Sequence, residues 1–571
     1  MGIFMVHKSE DSRHLSVQSY PIKHLIDAIN ATKQNTNEVV LVVLPSISLT
    51  TYFQLDKYAE LVKQVIEALG SNATLIIIGE AKELCEIHTQ ISKDINYQLW
   101  IAIKKLKIVS EGKNHLPSHH FGAVVYTKYS NSLIHTKTRI SYQLCPSCGR
   151  TTKDYGGKRH VYPEYGTLMS DVWRDIACDL NGDLNVLFNR FADLFGVERY
   201  HKLVVLDCRN YTRIQKISNN ILSYKENSEP MHSKLLNGDC IEELKKMPSN
   251  SIDFAFADPP YNLHKSYDGY DDDIDSKKYG EWCNVWLDEL TRVIKPGRTV
   301  AIVNIPIWII RHYMHLKSNL VFQNWIVWDA LSFPVRKIMP AHYPIICFTK
   351  GLPRELPGLI NSYKISEDYH LSALGEAYCL RADCKIKRNE ERVTDIVQLT
   401  DIWWDTHRLK HNSRRVDHPC QLPPRLMFRL IKLFTNEDEC VLDCFNGAGT
   451  TTLCAQITKR RYVGIELSND YHLLALARHN ELDAGLDPFR KEVRNLTSKN
   501  SPVQRIEKQH YMIPKKKLQL DIIRITEKLG HIPSRAEAKK YVKYPVKYYD
   551  EYFLSWGEAC AAARASIVSK K

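Results

Sequence analysis

The sequence predicts an α/β protein with two Rossmann-like domains, the first of them degenerate, and a small α-helical module at the C-terminal end. Three observations predict this class. Residues 441–466 contain a strand, a glycine turn, a helix and a second strand that ends in an acid, a pattern typical of doubly wound nucleoside-binding sheets. Fragments of residues 229–490 recur in the same order within residues 1–228. Helical periodicity from Leu518 to Leu529 is followed by a glycine and proline break and then a second predicted helix.

The composition places the chain among globular proteins. Its 571 residues exceed what one core supports and predict two to four domains. Hydrophobic residues make up 44% and charged residues 25%, there is no apolar run of 18 residues, and no signal-peptide core follows Met1. We therefore expect a soluble, cytoplasmic protein with no membrane partner. The 15 scattered cysteines, an odd number, argue against a secreted disulfide framework.

One loop combines a carboxylate, two prolines and an aromatic ring at the end of a predicted strand. The apolar run 251–256 leads to Asp258, Pro259, Pro260 and Tyr261. The prolines fix φ and remove backbone donors, so they end the strand. Because open α/β sheets bind ligands at the carboxyl ends of their strands, we predict a functional site here. The alternative is a proline-stiffened turn with an incidental Asp.

A second signature contains two glycines between a strand and a helix. Its sequence is Val441-Leu-Asp443-Cys-Phe445-Asn446-Gly447-Ala-Gly449-Thr450. The glycines let the backbone approach a ligand closely, and the next predicted strand, 462–466, ends in Glu466. An acid in this place is suited to bind a ribose diol. The whole stretch therefore predicts a site for a nucleoside cofactor.

These two signatures resemble those of the β-type amino-group DNA methyltransferases, which methylate adenine N6 or cytosine N4. The loop at Asp258 resembles their catalytic motif, and the glycine loop, which follows it in the chain as in the permuted β-type order, resembles their S-adenosyl-L-methionine site. The resemblance implies four catalytic residues, which are Asp258, Pro259, Pro260 and Tyr261. The residues that it assigns to the cofactor are Asp239, Asp258, His418, Asp443, Phe445, Asn446, Gly447, Gly449, Thr450 and Glu466.

The resemblance implies a site-specific DNA methyltransferase of restriction-modification type acting on double-stranded DNA. The target nucleotide is flipped out because its amine cannot be reached inside the duplex. Asp258 and the Pro259 carbonyl accept hydrogen bonds from the amine, Tyr261 stacks on the base, and alignment drives direct methyl transfer. An Asp at the first motif position favours adenine N6. The alternatives are cytosine N4, an RNA substrate and a catalytically inactive DNA-binding protein; a cognate restriction endonuclease is the partner that this type implies.

Residues 1–228 lack both signatures but repeat four fragments of the second region. The matched pairs are Lys57-Tyr-Ala-Glu60 with Lys278-Tyr-Gly-Glu281, Leu116-Pro-Ser-His119 with Met339-Pro-Ala-His342, Ser170-Asp-Val-Trp173 with Thr400-Asp-Ile-Trp403, and Val205-Leu-Asp-Cys208 with Val441-Leu-Asp-Cys444. We interpret these pairs as a duplicated methyltransferase fold. An unrelated α/β scaffold is the alternative.

The first copy has lost the residues that carry the chemistry. Leu44-Pro45-Ser46-Ile47 replaces the catalytic motif, and Asn210-Tyr-Thr-Arg213 replaces the glycine loop. This copy therefore lacks an acceptor for an amine and space for a cofactor. We expect it to act as a fixed partner subunit, so that the protein is a monomer with an internal pseudo-dimer rather than a homodimer.

A cysteine pair in the first copy has the form of a zinc knuckle. Cys145 and Cys148 flank a short turn followed by Gly149, and two thiolates on a turn supply half of a tetrahedral zinc site. The sequence leaves two completions open, which are His160 with Cys178 and Cys379 with Cys384. Ordinary turn cysteines are the alternative to a structural zinc ion.

Basic residues outside the two signatures predict contacts with DNA. Residues 491–571 hold 18 Lys and Arg against 8 Asp and Glu, an excess that predicts a polyanionic partner; a solvated tail is the alternative. The predicted target-recognition segment, about 351–415, could read bases or grip phosphates. The candidate DNA-binding residues are Arg381, Lys385, Lys387, Arg388, Arg414, Arg415, Lys539, Lys540, Lys543 and Lys547.

The predicted domain boundaries follow from these features. Residues 1–228 form the degenerate copy, residues 229–490 the catalytic copy, residues 491–514 a linker, and residues 515–571 a helical DNA-binding module. The Gly-x-x-Pro turn and the Phe553-Leu-Ser-Trp556 motif of this module resemble the small repeat found beside homing endonucleases. We expect its aromatic residues to form the module's core.

Overall fold

The structure is a computed structural model. The residues that it describes are 2–8, 15–20, 39–46, 55–129, 133, 136, 138–152, 166–195, 203–209, 231–262, 266–267, 270–271, 274–330, 338–360, 371–372, 379, 382–390, 396–406, 408–409, 421–489, 515–544, 546, 549, 553 and 555–568. Within these ranges, no helix combines the length and the apolar character needed to cross a membrane. The chain forms two compact units, Met1–Ser498 and Lys499–Lys571.

Strands and helices alternate along most of the first unit. Its strands are β1 (Gly2–Lys8), β2 (Leu15–Tyr20), β3 (Val39–Val43), β4 (Thr74–Gly79), β5 (Asn96–Val109), β6 (Ser118–Thr127), β7 (Arg139–Ile140), β8 (Thr167–Leu168), β9 (Val172–Cys178), β10 (Leu203–Asp207), β11 (Lys234–Asn237), β12 (Ile252–Ala257), β13 (Ser266–Tyr267), β14 (Tyr270–Asp271), β15 (Ile294–Val303), β16 (Val321–Asp329), β17 (His342–Thr349), β18 (Leu371–Ser372), β19 (Ile396–Val397), β20 (Ile402–Trp403), β21 (Cys440–Asp443) and β22 (Arg461–Glu466). Its helices are α1 (Leu55–Ala68), α2 (Ala81–Ile91), α3 (Asn185–Leu194), α4 (Cys240–Lys245), α5 (Ser276–Val293), α6 (Pro306–Leu316), α7 (Pro357–Ile360), α8 (Ala382–Glu390), α9 (Pro424–Phe434), α10 (Thr450–Ile457) and α11 (Asn469–Asp483).

The second half of this unit, residues 229–490, contains an eight-stranded mixed sheet. The strand order is β11-β22-β21-β12-β15-β17-β16-β20. All neighbouring strands are parallel except that β17 runs antiparallel to β15 and β16. The order reverses between β21 and β12, which is the place where a doubly wound sheet opens a ligand crevice. This topology confirms the predicted Rossmann-like class.

The first half, residues 1–228, contains a second eight-stranded sheet in the order β2-β1-β10-β3-β4-β6-β5-β9. From β10 to β9, its six strands have the same order and relative directions as the six strands from β21 to β20. The edges differ, because β1 and β2 pair antiparallel where β22 and β11 pair parallel. The first half is therefore also a mixed α/β sheet with a reversed strand, β6, in the same position as β17.

The two sheets match in local detail as well as in strand order. Both β5 and β16 carry an irregularity in their pairing, at Gln98 and Gln323, two residues before Trp100 and Trp325. The indoles of Trp173 and Trp403 each donate to a carbonyl three residues earlier, at 2.9 and 2.7 Å. The correspondence therefore includes side-chain contacts.

Strand β15 continues through a proline and a glycine. It runs from Ile294 to Val303 and includes Pro296 and Gly297. Ile294 pairs with Ile252, Pro296 forms a bridge with Lys350, and Gly297 takes a φ of 73°. The Pro-Gly pair bends the strand without ending it, because its neighbours remain paired on both sides.

The two halves pack against each other through equivalent surfaces. The rings of Trp100 and Trp325, which hold equivalent positions, stack with centroids 4.3 Å apart and planes 13° apart. The Asp171 carboxylate accepts from the His342 amide at 2.9 Å. In the reciprocal contact, the Asp401 carboxylate accepts from the His119 amide at 2.7 Å. Such reciprocity is typical of a two-fold dimer interface.

The second unit contains α12 (Lys515–Leu529), α13 (Arg535–Tyr541) and α14 (Trp556–Val568). Gly530 ends α12 with a φ of 70°, and Ser534 with Glu537 forms a capping box at the start of α13. The predicted aromatic core is confirmed: Tyr549 and Phe553 are buried beside Leu518 and Ile522, and Trp556 packs against them. Tyr549 also donates to Asp521 at 2.6 Å.

Candidate active site

The loop at Asp258 is held in place by aromatic residues from two helices. Asp258 directly follows β12, and the Tyr261 hydroxyl donates to its carboxylate at 2.8 Å. Tyr279 of α5 donates to the Pro260 carbonyl, and the Trp308 indole of α6 donates to the Tyr261 carbonyl at 3.1 Å. The loop therefore presents its carboxylate in a fixed position at the end of the sheet.

A second set of contacts closes the segment that follows the loop. Asn262 adopts a φ of 54°, a left-handed conformation that Asn tolerates better than most residues. Its side chain accepts from the Ile274 amide at 2.9 Å and donates to the Ile274 carbonyl at 2.7 Å. These bonds hold Asn262 and Ile274, the residues on either side of the acidic segment 263–273, next to each other. Of this segment, the structure describes the backbone of the β13–β14 hairpin.

Tyr343 and Arg408 form a wall beside the loop that the sequence did not reveal. The ring of Tyr343, on β17, lies 6.3 Å from the Tyr261 ring. The Arg408 guanidinium lies 4.8 Å from the centre of the Tyr343 ring and donates to its hydroxyl at 2.5 Å.

The glycine loop lies at the ends of the adjacent strands β21 and β22. Gly447 and Gly449 have φ angles of 50° and 80°, which favour glycine. The Gly447 amide donates to one carboxylate oxygen of Glu466 at 2.7 Å, and the Ser468 amide donates to the other at 2.9 Å. The backbone amide of the buried Asn446 donates to the Ile465 carbonyl at 2.9 Å. The loop is therefore tied to the tip of β22.

Carboxylates from three neighbouring strands converge in this crevice. Burial raises the pKa of Asp443 to about 7, hydrogen bonds from Thr451 and the Phe445 amide oppose the rise, and the charges of Asp258 and Glu466 add to it. An acidic crevice with a left-handed glycine loop suits a cationic ligand that carries a ribose diol.

The other predicted cofactor residues surround this crevice. Asp239 caps α4 by accepting from the Ile241 amide at 2.9 Å, and the adjacent Gly238 amide donates to the Glu466 carbonyl at 2.9 Å. Phe445 packs on Trp286 with centroids 5.4 Å apart, and Thr450 begins α10. The structure thus brings together all of the predicted cofactor residues that it describes. His418 lies outside the described residues.

Most predicted DNA contacts in the recognition segment fall where the structure gives no side-chain description. Arg381, Arg414 and Arg415 lie outside the described residues; for Lys385 and Arg388, only the backbone of α8 is described. Lys387 is exposed on α8. In the C-terminal unit, Lys539, Lys540 and Lys543 are exposed, and Lys547 lies outside the described residues.

The predicted zinc half-site belongs to a group of four cysteines. The sulfur atoms of Cys145, Cys148, Cys379 and Cys384 all lie within 4.8 Å of one another. Of the two completions predicted from the sequence, the structure brings Cys379 and Cys384 to the site. Cys178 ends β9 and is buried in the core of the first half, and His160 lies outside the described residues.

The corresponding strand ends of the first half carry different side chains. Leu44, at the position of Asp258, is buried, and a Cβ on Gly79 would lie 3.1 Å from its side chain. Asp207, at the position of Asp443, is paired with Arg209, whose guanidinium also donates to the Leu180 carbonyl at 3.0 Å. The acid of this strand is therefore neutralised by its own chain.

Comparisons with known proteins agree on one family. The model of the N6/N4 methyltransferase family, described as DNA methylase, matches residues 252–477. The type II methyltransferase M.BamHI of Bacillus amyloliquefaciens is 34% identical over 270 residues, covering 46% of this chain and 61% of that protein. M.HpaI of Haemophilus parainfluenzae is 30% identical over 268 residues, covering 46% of this chain and 79% of that protein. The DNA adenine methyltransferase YhdJ of Escherichia coli is 27% identical over 248 residues, covering 43% and 81%.

Proposed function

Because the chain belongs to the N6/N4 DNA methylase family, we propose that its second half transfers a methyl group from S-adenosylmethionine to an exocyclic amino group of DNA, adenine N6. The observation that carries this proposal is the meeting of the Asp258 loop with the glycine loop and Glu466 at the switch point of one sheet. Both elements lie within the residues matched by the family.

S-adenosylmethionine is the cofactor, and it supplies an electrophilic methyl group on a sulfonium centre. The residues of the crevice fit this molecule. Glu466 would hold the ribose hydroxyls, Gly447 and Gly449 would face the methionine portion, and the acids of β12 and β21 favour a positive charge. Asp239 at the neighbouring strand end would lie beside the adenine.

The Asp258 loop binds and orients the target base. The amine donates one hydrogen bond to the Asp258 carboxylate and another to the Pro259 carbonyl, which directs its lone pair towards the methyl group. Tyr261 orients the carboxylate through its hydroxyl bond and offers a ring against which the flipped base can stack. Pro260, fixed by Tyr279, keeps the loop rigid.

The choice of adenine rests on the residue at position 258. Adenine N6 and cytosine N4 both present an amino group with two hydrogens, so the two acceptors can bind either. Asp at the first position of the motif resembles the adenine enzymes, whereas Ser is commoner among the cytosine enzymes. Cytosine N4 is therefore the second candidate.

Sequencing of modified bases tests the proposal. DNA from a host that expresses the wild-type protein should carry methylated adenine within one short sequence, and DNA from a host that expresses Asp258→Ala should carry none. Methylated cytosine within one sequence would show that the substrate base is cytosine and would still support methyl transfer. Unmodified DNA from a host with folded wild-type protein would contradict methyl transfer and leave a DNA-binding protein.

We also propose that the first half is a degenerate copy of the same domain that takes the place of a partner subunit. The matching order of six strands, the stacked Trp100 and Trp325 and the reciprocal bonds of Asp171 and Asp401 support this proposal. Sedimentation should then give a monomer, free and on a DNA site. A symmetric homodimer at micromolar concentration would contradict it.

We propose that the two basic regions make different kinds of contact with double-stranded DNA. We assign base readout to residues 351–415, which include Arg381, Lys385, Lys387, Arg388, Arg414 and Arg415, because the β-type enzymes that the chain resembles have their target-recognition segment in this interval. Phosphate contacts are assigned to Lys539, Lys540, Lys543 and Lys547 of the C-terminal module. A cognate restriction endonuclease is the protein partner that the type II relatives suggest.

A further inference from the structure

Four cysteines from two distant parts of the chain meet at one point of the first unit. Cys145 and Cys148 belong to the first half, and Cys379 and Cys384 belong to the predicted recognition segment of the second half. All four sulfur atoms lie within 4.8 Å of one another. Cys145, Cys379 and Cys384 are buried and form a cluster of their own.

The first pair lies on a tight turn with the backbone of a metal-binding knuckle. The amides of Cys148 and Gly149 both donate to the Cys145 carbonyl, at 3.3 and 2.8 Å. Gly149 takes a φ of 64°, and the Cys145 amide donates to the Arg150 carbonyl at 2.7 Å, which closes the turn. The turn directs two sulfur atoms to one side.

The second pair completes the group from the other half. Cys379 precedes α8, and Cys384 lies in its first turn, so the start of this helix is fixed against the turn of the first half. Zinc binds cysteine in its thiolate form, so the two pairs together offer four sulfur ligands at one point.

The sulfur spacing fits a tetrahedral metal ion. The sulfur atoms of Cys148 and Cys379 are 3.7 Å apart. Zinc–sulfur bonds of about 2.3 Å in a tetrahedron give sulfur–sulfur distances of about 3.8 Å. A disulfide would need about 2.05 Å, so the geometry favours shared coordination over a covalent bond.

We propose that these four thiolates bind one structural Zn²⁺ ion that joins the first half to the recognition segment. The site has four protein ligands and no open position, as expected for a structural and not a catalytic zinc. Its role in placing α8, with the exposed Lys387, rests on the proposed DNA methylation, whereas binding of the metal does not. The degenerate half would then support the segment that reads DNA as well as the sheet that methylates it.

Metal analysis of the full-length protein tests the site directly. Wild type purified without chelators should contain about one zinc ion per chain, and cobalt in its place should give the absorption of a tetrahedral thiolate complex. Cys145→Ser and Cys384→Ser should each lose most of the zinc. Cys178→Ser, a matched change of a buried cysteine outside the cluster, should keep it.

Two measurements on the wild type keep the test decisive if a ligand variant fails to fold. A mercurial that blocks thiols should release the zinc stoichiometrically, and the release should speed up proteolytic cleavage between Ile360 and Ile396. Wild type that takes up neither zinc nor cobalt, folded ligand variants that keep zinc, or an intact mass showing disulfides would each overturn the site. Metal release without faster cleavage would overturn its role in holding the segment.

Discussion

The sheets of the two halves share the order of their six central strands but differ in the residues at the strand ends. In the second half, β12 is followed by Asp258, and β21 ends in the buried Asp443 beside the left-handed glycine loop. In the first half, the equivalent tips carry the buried Leu44 and an Asp207 already paired with Arg209. The six central strands and the packing of Trp100 against Trp325 remain.

This difference shows that the residues that stabilise the fold are distinct from those proposed to carry out the chemistry. Buried apolar strands and the interface between the halves preserve the sheet, because each of those side chains contributes to a core that spans both halves. The proposed active crevice depends on a few residues at strand ends, and replacing them should remove function without disturbing the sheet. This is the expected basis on which the proposed degenerate copy persists as a structural neighbour.

The largest expected effect is the loss of methyl transfer in Asp258→Ala. Removal of the acceptor for the amine should lower the rate by about 10³-fold or more, while the affinity for S-adenosylmethionine changes only a few fold, because the carboxylate faces the base. Single-turnover transfer to DNA and cofactor titration give the two values.

Ser46→Ala is the matched control for this change. Ser46 is exposed at the equivalent loop of the first half, and its replacement should leave transfer within about two-fold of wild type, as for a surface substitution. Near-normal transfer by Asp258→Ala, or a loss in Ser46→Ala, would reverse the assignment of the two halves.

Gly447→Trp should remove cofactor binding. A side chain at this left-handed position would strain the backbone and fill the crevice next to Glu466. Calorimetric titration with S-adenosylmethionine should give no heat of binding, whereas Gly70→Trp, placed where nothing lies within 4 Å, should bind normally. Unchanged binding by Gly447→Trp would show that the cofactor binds at another site.

Deleting residues 515–571 sharpens the comparison by removing the contribution of the C-terminal module to DNA affinity. Loss of two to four phosphate contacts should lower the magnitude of the log-affinity against log-salt slope by about 0.9 per contact. The methylated sequence should stay the same. If the deleted protein keeps the full slope but methylates new sequences, the module reads bases and the two DNA-binding roles are exchanged.

The smallest effect concerns the interface between the halves. Glu86 of α2 accepts from the Tyr313 hydroxyl and pairs with Lys317, both at 2.6 Å. Glu86→Ala should lower the free energy of unfolding by about 1–3 kcal/mol, because it removes both the hydrogen bond from the buried Tyr313 hydroxyl and the ion pair with Lys317. Chemical denaturation measures the change. The exposed Glu67→Ala in the same half is the control; equal values for the two would show that the interface contact adds nothing.

Short-range patterns made much of this architecture predictable. The proline loop, the glycine loop and Glu466 each combine a strand end with a special backbone requirement, which is visible in adjacent residues. The fragments around Lys57, Trp173 and Cys208 indicated the shared strand order because they lie at element boundaries.

Contacts between distant segments could not be predicted from the sequence. The wall of Tyr343 and Arg408 and the choice of Cys379 with Cys384 depend on how the sheets pack, and a single chain contains no signal that ranks such pairings. The sequence also did not reveal that Arg209 pairs with Asp207, because a spacing of two residues does not decide whether the side chains meet.

The stoichiometry of cofactor binding tests the contrast between the halves most directly. Titration of the full-length protein with S-adenosylmethionine should give one site per chain, and Gly447→Trp should remove it, because the equivalent strand ends of the first half carry the buried Leu44 and an Asp207 already paired with Arg209. Two sites per chain, or one site that survives Gly447→Trp, would contradict the account, since the first half would then be an active copy.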